Sequence, residues 1–381
     1  MTPTVPVITG NFAPFRLIMR DTDQWEPSFQ EVVNHQYDFG RLHRISTGVD
    51  VGILPLSMLV CFDGTFAIPF FGNPDPDNAL QIFNRTLSEM LIGGLYCEAM
   101  SPDDLFIGEA SHKAYVRHNG YSSGLHSRRC IAFRTRYANS LEILDLWKPD
   151  RITVSKFHEA IFLGRDRLKG IEADISSTLL YGCTFYARGQ WSEALLHLWT
   201  TAEQIIAQIW NDDFVKNSQV DGISSAKRKR FLGDNRTWSA STIIEVLYQT
   251  GKIDSETYSL LDKARAARNS FVHRATRVDR EEARSSLEAS MRLASLRLRG
   301  TKAEFQPADI VAMVDRKTRA GMAWGLRKPD PSGETEGACL PIPPVPSFPE
   351  WGNQPYEIIE ELCFIPVEEN QRLIDEQKTG K

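Results

Sequence analysis

Three side chains in this sequence have the types and the spacing to do chemistry together: Arg268, Asn269 and His273, within the run Ala-Ala-Arg-Asn-Ser-Phe-Val-His at residues 266–273. An imidazole titrates near neutrality, so it can take the proton of a 2′-hydroxyl or return one to a leaving 5′-oxygen. A guanidinium can neutralise the charge that builds on a phosphate in the transition state. The amide of Asn269 can hold a phosphate oxygen or orient the imidazole. Together these groups fit metal-independent cleavage of RNA, and DNA would be spared because it lacks the 2′-hydroxyl nucleophile.

The element that must position them is a helix within residues 254–277. Asp254 can cap it, and Tyr258, Leu261, Ala264 and Phe271 continue it. Leu260, Ala264, Ala267 and Phe271 recur at spacings of four, three and four, which puts them on one face. Arg268 and His273 are five residues apart, so they are offset by about 140° around the axis and roughly 7.5 Å along it. They flank a groove rather than stack. Both reach one phosphate only if the helix end is turned there or a second copy of the helix completes the site, which favours a homodimer with the two helices side by side. Taken alone, an arginine and a histidine separated by four residues are cheap, at about even odds in a chain this rich in arginine. The competing reading is a cationic pair on a solvated helix end, favoured there by the helix dipole.

Composition bounds the rest. At 381 residues with 42% hydrophobic content, the chain can bury one full core or two. No apolar run approaches the roughly 18–20 residues needed to span a bilayer. The opening Met-Thr-Pro-Thr-Val-Pro lacks a basic segment followed by an apolar one, so no secretory signal is expected and a cytoplasmic location is. The six cysteines are scattered, with neither Cys-x-x-Cys spacing nor an accompanying histidine cluster; they read as reduced thiols, and no metal or cofactor is expected. The net charge of −5 is unevenly spread: residues 110–138 hold six Lys/Arg and three histidines and no acid, and residues 251–300 hold 11 basic against 7 acidic side chains.

The fold class expected is α+β, in three parts. Residues 1–150 read as a mixed α/β domain that senses a trigger or selects RNA. Within it, residues 15–19 are strand-like, and two apolar runs around Asp63-Gly64 form a hairpin. A helix follows the Asn73-Pro-Asp-Pro-Asp introduction, and residues 131–137 make a further strand. The basic stretch reads as loop carrying Gly108, Gly120 and Gly124, with His112, His118 and His126 solvated or facing nucleic acid. After a linker near residues 146–150, residues 151–300 read as a helical domain. Its first helix, long or broken, covers residues 152–188, and Gly189 separates it from a second. A loop at 217–235 carries Lys227, Arg228, Lys229 and Arg230. Ser239 or Ser241 caps a third helix, and the 254–277 helix and another ended by Gly300 follow. Residues 301–381 form a C-terminal extension with one helix, a proline-dense extended run at 341–349 and an acidic tail.

The segment from about Phe157 to Gly300 resembles the HEPN superfamily of helical domains. The likeness rests on four to five helices with Arg268, the polar Asn269 and His273 at the end of the penultimate one. It implies an all-α HEPN-like bundle and a metal-independent endoribonuclease acting as a dimer in phage defence, abortive infection or toxin-type growth arrest, with an antitoxin or other defence-system protein as partner. It also implies an alternative: a non-catalytic dimerisation or nucleotide-binding module that recruits a partner. Glu203 is the candidate for the acidic residue that such domains present from an earlier helix. The tyrosine two residues after the histidine in toxins silenced by nucleotidyl transfer is replaced here by Ala275. In this setting Lys227, Arg228, Lys229 and Arg230 would clamp the RNA backbone, and Arg274 and Arg277 would extend the same positive surface.

Overall fold

The first strand, β1 (Thr4–Gly10), lies at the centre of the β-structure, because its apolar half has neighbours on both sides. In the computed structural model, which describes residues 4–52, 57–118, 122–216, 224–234, 236–298 and 306–318, β1 is followed by β2 (Arg16–Met19), two short helices α1 (Phe29–Val33) and α2 (Phe39–Leu42), and strands β3 (Ile45–Val49), β4 (Met58–Cys61) and β5 (Phe66–Pro69). As the sequence predicts, β4 and β5 make an antiparallel hairpin. Gly64 turns it at φ 83°, a conformation that costs glycine little. The helix α3 (Pro76–Ile92) starts as expected: the Asp75 carboxylate accepts the Asn78 N–H at 3.1 Å, and Pro76 fills the first turn, where no N–H is needed.

Next come β6 (Leu105–Ser111), β7 (Tyr115–His118), α4 (Leu125–Thr135), α5 (Ser140–Trp147) and β8 (Asp150–Thr153). Six strands pair antiparallel in the order β3-β4-β5-β1-β6-β7. The edges curl toward each other: the Ile45 N–H donates to the Ala114 carbonyl at 2.8 Å, and Val116 N–H donates to the His43 carbonyl at 2.9 Å. β2 pairs instead in parallel with β8, Arg16 opposite Asp150. Residues 146–150, read from the sequence as a linker, therefore lead from α5 back onto the N-terminal region.

Two expectations for this region are corrected. Residues 131–137 are not a strand; most of them belong to α4. The buried face of that helix is His126, Ser127, Cys130, Phe133 and Arg134, spaced three and four apart. The helical period is present, but polar side chains carry most of it, so a hydrophobic pattern cannot reveal it. The basic stretch is likewise not a loop, since its described residues run through β6, β7 and α4. His126 is buried rather than solvated or facing nucleic acid, and Phe133 and Arg134 of the same helix are buried too.

The remaining elements are helical: α6 (Val154–Arg167), α7 (Ala173–Ala187), α8 (Trp191–Trp210), α9 (Ser225–Leu232), α10 (Ala240–Gln249), α11 (Ser255–Arg274), α12 (Arg280–Arg297) and α13 (Pro307–Arg316). The 152–188 segment is broken, at Leu168-Lys-Gly. Ser239 caps α10, its hydroxyl accepting the Thr242 N–H. The Lys227–Arg230 run is corrected from loop to helix: it forms the middle of α9, where Lys and Arg are good helix formers. The expected stop at Gly300, the proline-dense run and the acidic tail lie outside the described residues.

One hydrophobic core runs from the sheet through the helices. Phe66 of the sheet has its ring 5.9 Å from Phe83 of α3 and 6.2 Å from Phe157 of α6, and the same cluster continues to Leu198, Leu261 and Leu287. Helices α3 and α6 cross closely enough that a Cβ at Gly164 would sit 1.7 Å from the Glu89 carbonyl oxygen, so only glycine fits there. The chain is of mixed α+β class. No helix among the described residues is long and apolar enough to cross a membrane.

Candidate functional site

Helix α11 carries the residues singled out by their chemistry. Asp254 caps it as the sequence predicts, accepting the Thr257 N–H at 2.7 Å. Its inner face holds Leu260, Leu261, Ala264 and Ala267, with Phe271 half-buried against the same core. The helix continues unbroken past His273 to Arg274. It ends where Ala275 adopts a left-handed conformation, φ 53°, with its N–H donating to the Phe271 carbonyl at 2.9 Å. After the buried Val278, α12 begins with a capping box in which Asp279 and Glu282 each accept the other's backbone N–H.

Arg268 and Asn269 are half-buried near the end of α11, and the Arg268 Nη1 donates to the Asn269 Oδ1 at 3.2 Å. His273 is exposed, and among the described residues it makes no hydrogen bond, ion pair or ring contact. The structure thus joins Arg268 to Asn269 and joins neither to His273. Because the helix is regular through this turn, the offset of about 140° between Arg268 and His273 stands. Glu203 is half-buried on α8, and no hydrogen bond or ion pair links it to Arg268 or His273.

Charge pairing divides the cations of the α11–α12 hairpin into two groups. Arg265 pairs with Asp262 at 2.6 Å, Arg280 with Asp315 at 2.8 Å, Arg292 with Glu256 at 2.6 Å and Arg297 with Asp212 at 2.6 Å. Arg268, Arg274 and Arg277 have no carboxylate partner among the described residues, and the last two are exposed beside His273. Lys227, Arg228, Lys229 and Arg230 of α9 likewise have none. A half-buried Arg268 held only by an amide, in a hairpin where other arginines are matched, leaves its charge available to an anion.

Two further features are not evident from the sequence. A cavity of about 710 Å3 lies at the opposite end of α11, lined by Ile253, Asp254, Arg292, Val311 and Asp315 among others. The length of the helix puts it roughly 28 Å from His273. The second feature is a buried polar centre in the N-terminal region. Arg134 donates from Nε and Nη2 to both oxygens of Asp63, from Nη2 to the Thr65 hydroxyl at 2.9 Å and the Leu42 carbonyl at 3.2 Å, and from Nη1 to the His118 Nε2. Burial works to lower the Arg134 pKa, but the Asp63 charge and hydrogen bonds outweigh it and hold the guanidinium above its ordinary value. Burial, with the Arg134 charge and His43 beside it, holds His118 well below the ordinary imidazole range. Sequence reasoning placed Arg134 on a strand and His118 on a loop. Their partner Asp63 is 71 residues away from Arg134, and nothing local signals it.

Among the described residues, no group of three or more His, Cys, Asp or Glu side chains converges as a metal-ligand set. The chain matches no family model, no curated protein and no solved structure.

Proposed function

We propose that this chain is a cytoplasmic endoribonuclease of HEPN type that cuts RNA through attack of a 2′-hydroxyl, in phage defence or toxin-type growth arrest. The observation that carries this reading is the pairing pattern at the end of α11: Arg268, His273, Arg274 and Arg277 have no carboxylate partner among the described residues, while Arg265, Arg280, Arg292 and Arg297 do. Cations without internal partners around one imidazole suit a phosphodiester.

In this reading His273 takes the 2′-hydroxyl proton, the oxygen attacks phosphorus as the bond to the 5′-oxygen breaks, and the imidazolium returns the proton to the leaving 5′-oxygen. The products are a 2′,3′-cyclic phosphate and a 5′-hydroxyl. Arg268, steadied by Asn269, stabilises the extra negative charge on the phosphoryl oxygens. Proton transfer by imidazole and charge stabilisation by guanidinium require no metal. Arg268 and His273 point to different sides of a regular helix, so the site is composite: Arg268 of one copy meets His273 of the other in a homodimer. Glu203, without a described contact to either, takes no step. Arg274 and Arg277 supply the positive surface along which RNA is held, and a defence-system partner restrains the activity.

The test is incubation of the full chain with total RNA in chelator, followed by analysis of the new ends. Cyclic phosphates that disappear in His273→Ala support the reading, and equal cleavage by that variant would contradict it. The second reading, a non-catalytic dimerisation or nucleotide-binding module that recruits a partner, has one observation in its favour: no described side chain orients the His273 imidazole. Intact RNA with protein bound to it is the outcome that selects it.

A further inference from the structure

Four aromatic side chains near α9 form a ladder from the core to the surface. Trp210, buried at the end of α8, stacks on Phe214 with centroids 4.6 Å apart and meets Trp238 in a tilted contact at 4.7 Å. Trp238 meets Phe231 edge-on at 5.8 Å. Two hydrogen bonds fix the outer end: Trp210 Nε1 donates to the Leu232 carbonyl at 2.9 Å, and Trp238 Nε1 donates to the Phe231 carbonyl at 3.1 Å. The Phe231 backbone is thereby held in place while its ring is 56% exposed.

Immediately before Phe231 stand Lys227, Arg228, Lys229 and Arg230. At about 100° per residue their charges spread around roughly 300° of the helix. None has a carboxylate partner among the described residues. The one acid in residues 224–234, Asp234, instead accepts the Thr237 hydroxyl at 2.7 Å and the Arg236 N–H at 3.2 Å.

We propose that α9 and this ladder bind single-stranded nucleic acid, with the cations on successive phosphates and the Phe231 ring stacked on an unpaired base. The inference rests on the ribonuclease reading and narrows it, naming unpaired RNA as the form of the substrate. A duplex hides its base faces and would meet only the cations. A membrane surface requires an apolar face opposite a charged one. Here Leu232 is buried and the charges encircle the helix, leaving Phe231 alone. Phosphate contact and stacking do not involve the 2′-hydroxyl, so this surface takes RNA and DNA strands alike; discrimination between them belongs to the cleavage step.

The test uses the full chain carrying His273→Ala, so that bound RNA is not consumed, with fluorescein-labelled 20-nucleotide RNA, DNA of the same sequence, an RNA duplex and phosphatidylserine vesicles. Both single strands should bind, and the duplex at least about tenfold more weakly. Adding Phe231→Ala should weaken single-strand binding about tenfold, within the range for loss of one base stack. Its exposed ring makes this a mild change, and an unchanged melting temperature confirms it. Adding Lys227→Gln, Lys229→Gln and Arg230→Gln together should reduce the slope of log affinity against log salt by about 2, since each phosphate contact to a single strand contributes about 0.7. The proposal is overturned if both sets of variants bind like the parent, if the duplex binds as tightly as the strands, if the DNA strand fails to bind, or if vesicles are bound and oligonucleotides are not. Tight single-strand binding by a protein whose wild type never cuts RNA supports this surface and overturns the cleavage reading alone.

Discussion

Arg134 grips both carboxylate oxygens of Asp63, at 2.6 Å and 2.7 Å, with neither side chain reaching solvent. This pair fastens α4 to the β4–β5 turn, and Thr65 and Asn11 extend it: the Asn11 Nδ2 donates to the Thr65 hydroxyl at 2.7 Å. Its arginine comes from a stretch that looked like a nucleic-acid surface, and it is committed to the fold instead.

Asp63→Asn leaves a buried guanidinium without its counter-charge. The expected cost is about 3–5 kcal/mol of stability, the usual consequence of removing one partner of a buried pair. Urea denaturation measures it; a loss below about 1 kcal/mol would show that the pair does not anchor this region.

The histidines of the same region give the fold an acid sensitivity. His118, His43 and His126 are all held below the ordinary imidazole pKa, first by burial, and for His118 and His43 next by the charge of Arg134. A group whose folded pKa is depressed is neutral when folded but takes up a proton when unfolded. Stability is therefore full above the unfolded value of about 6.5 and falls as pH drops below it, by up to about 1.4 kcal/mol per pH unit for each histidine. Melting temperatures between pH 7.5 and pH 5 should decline, and His118→Gln should flatten the decline. A profile that is flat in the parent, or equally steep in the variant, counts against this assignment.

Ala275 ends α11 at φ 53°, where a Cβ is unfavourable and glycine is not. Ala275→Gly should therefore raise stability by about 0.5–1 kcal/mol, net of the added freedom of the unfolded chain. Because the change leaves Arg268 and His273 in place, RNA cleavage should persist. A lowered melting temperature would contradict the strain at this cap.

How much of this the sequence reveals depends on what carries the signal. Helix α11 is legible because Asp254, the stripe through Leu260, Ala264 and Ala267, and the polar end all say the same thing. The α3 start and the Asp63-Gly64 turn are legible for similar local reasons. Helix α4 is not, because its buried face is mostly His, Ser, Cys and Arg. The ladder of Trp210, Trp238 and Phe231 is not, because its members come from α8, α9 and the segment before α10 and meet only in space. For the candidate site, residue types and helix position are legible. What sequence cannot supply is which arginines of the hairpin are already paired, since Asp315 and Asp212 reach them from other elements.

The central claim is that Arg268 of one copy and His273 of another act on the same phosphate. Arg268→Ala and His273→Ala should each be inactive alone. Mixed in equal amounts and allowed to exchange subunits, they should recover about a quarter of wild-type RNA cleavage, because half the dimers are mixed and each mixed dimer has one intact composite site. Cleavage that stays at zero in a mixture shown to contain mixed dimers, while the wild type cuts, would mean that Arg268 and His273 must come from the same copy and would contradict the account.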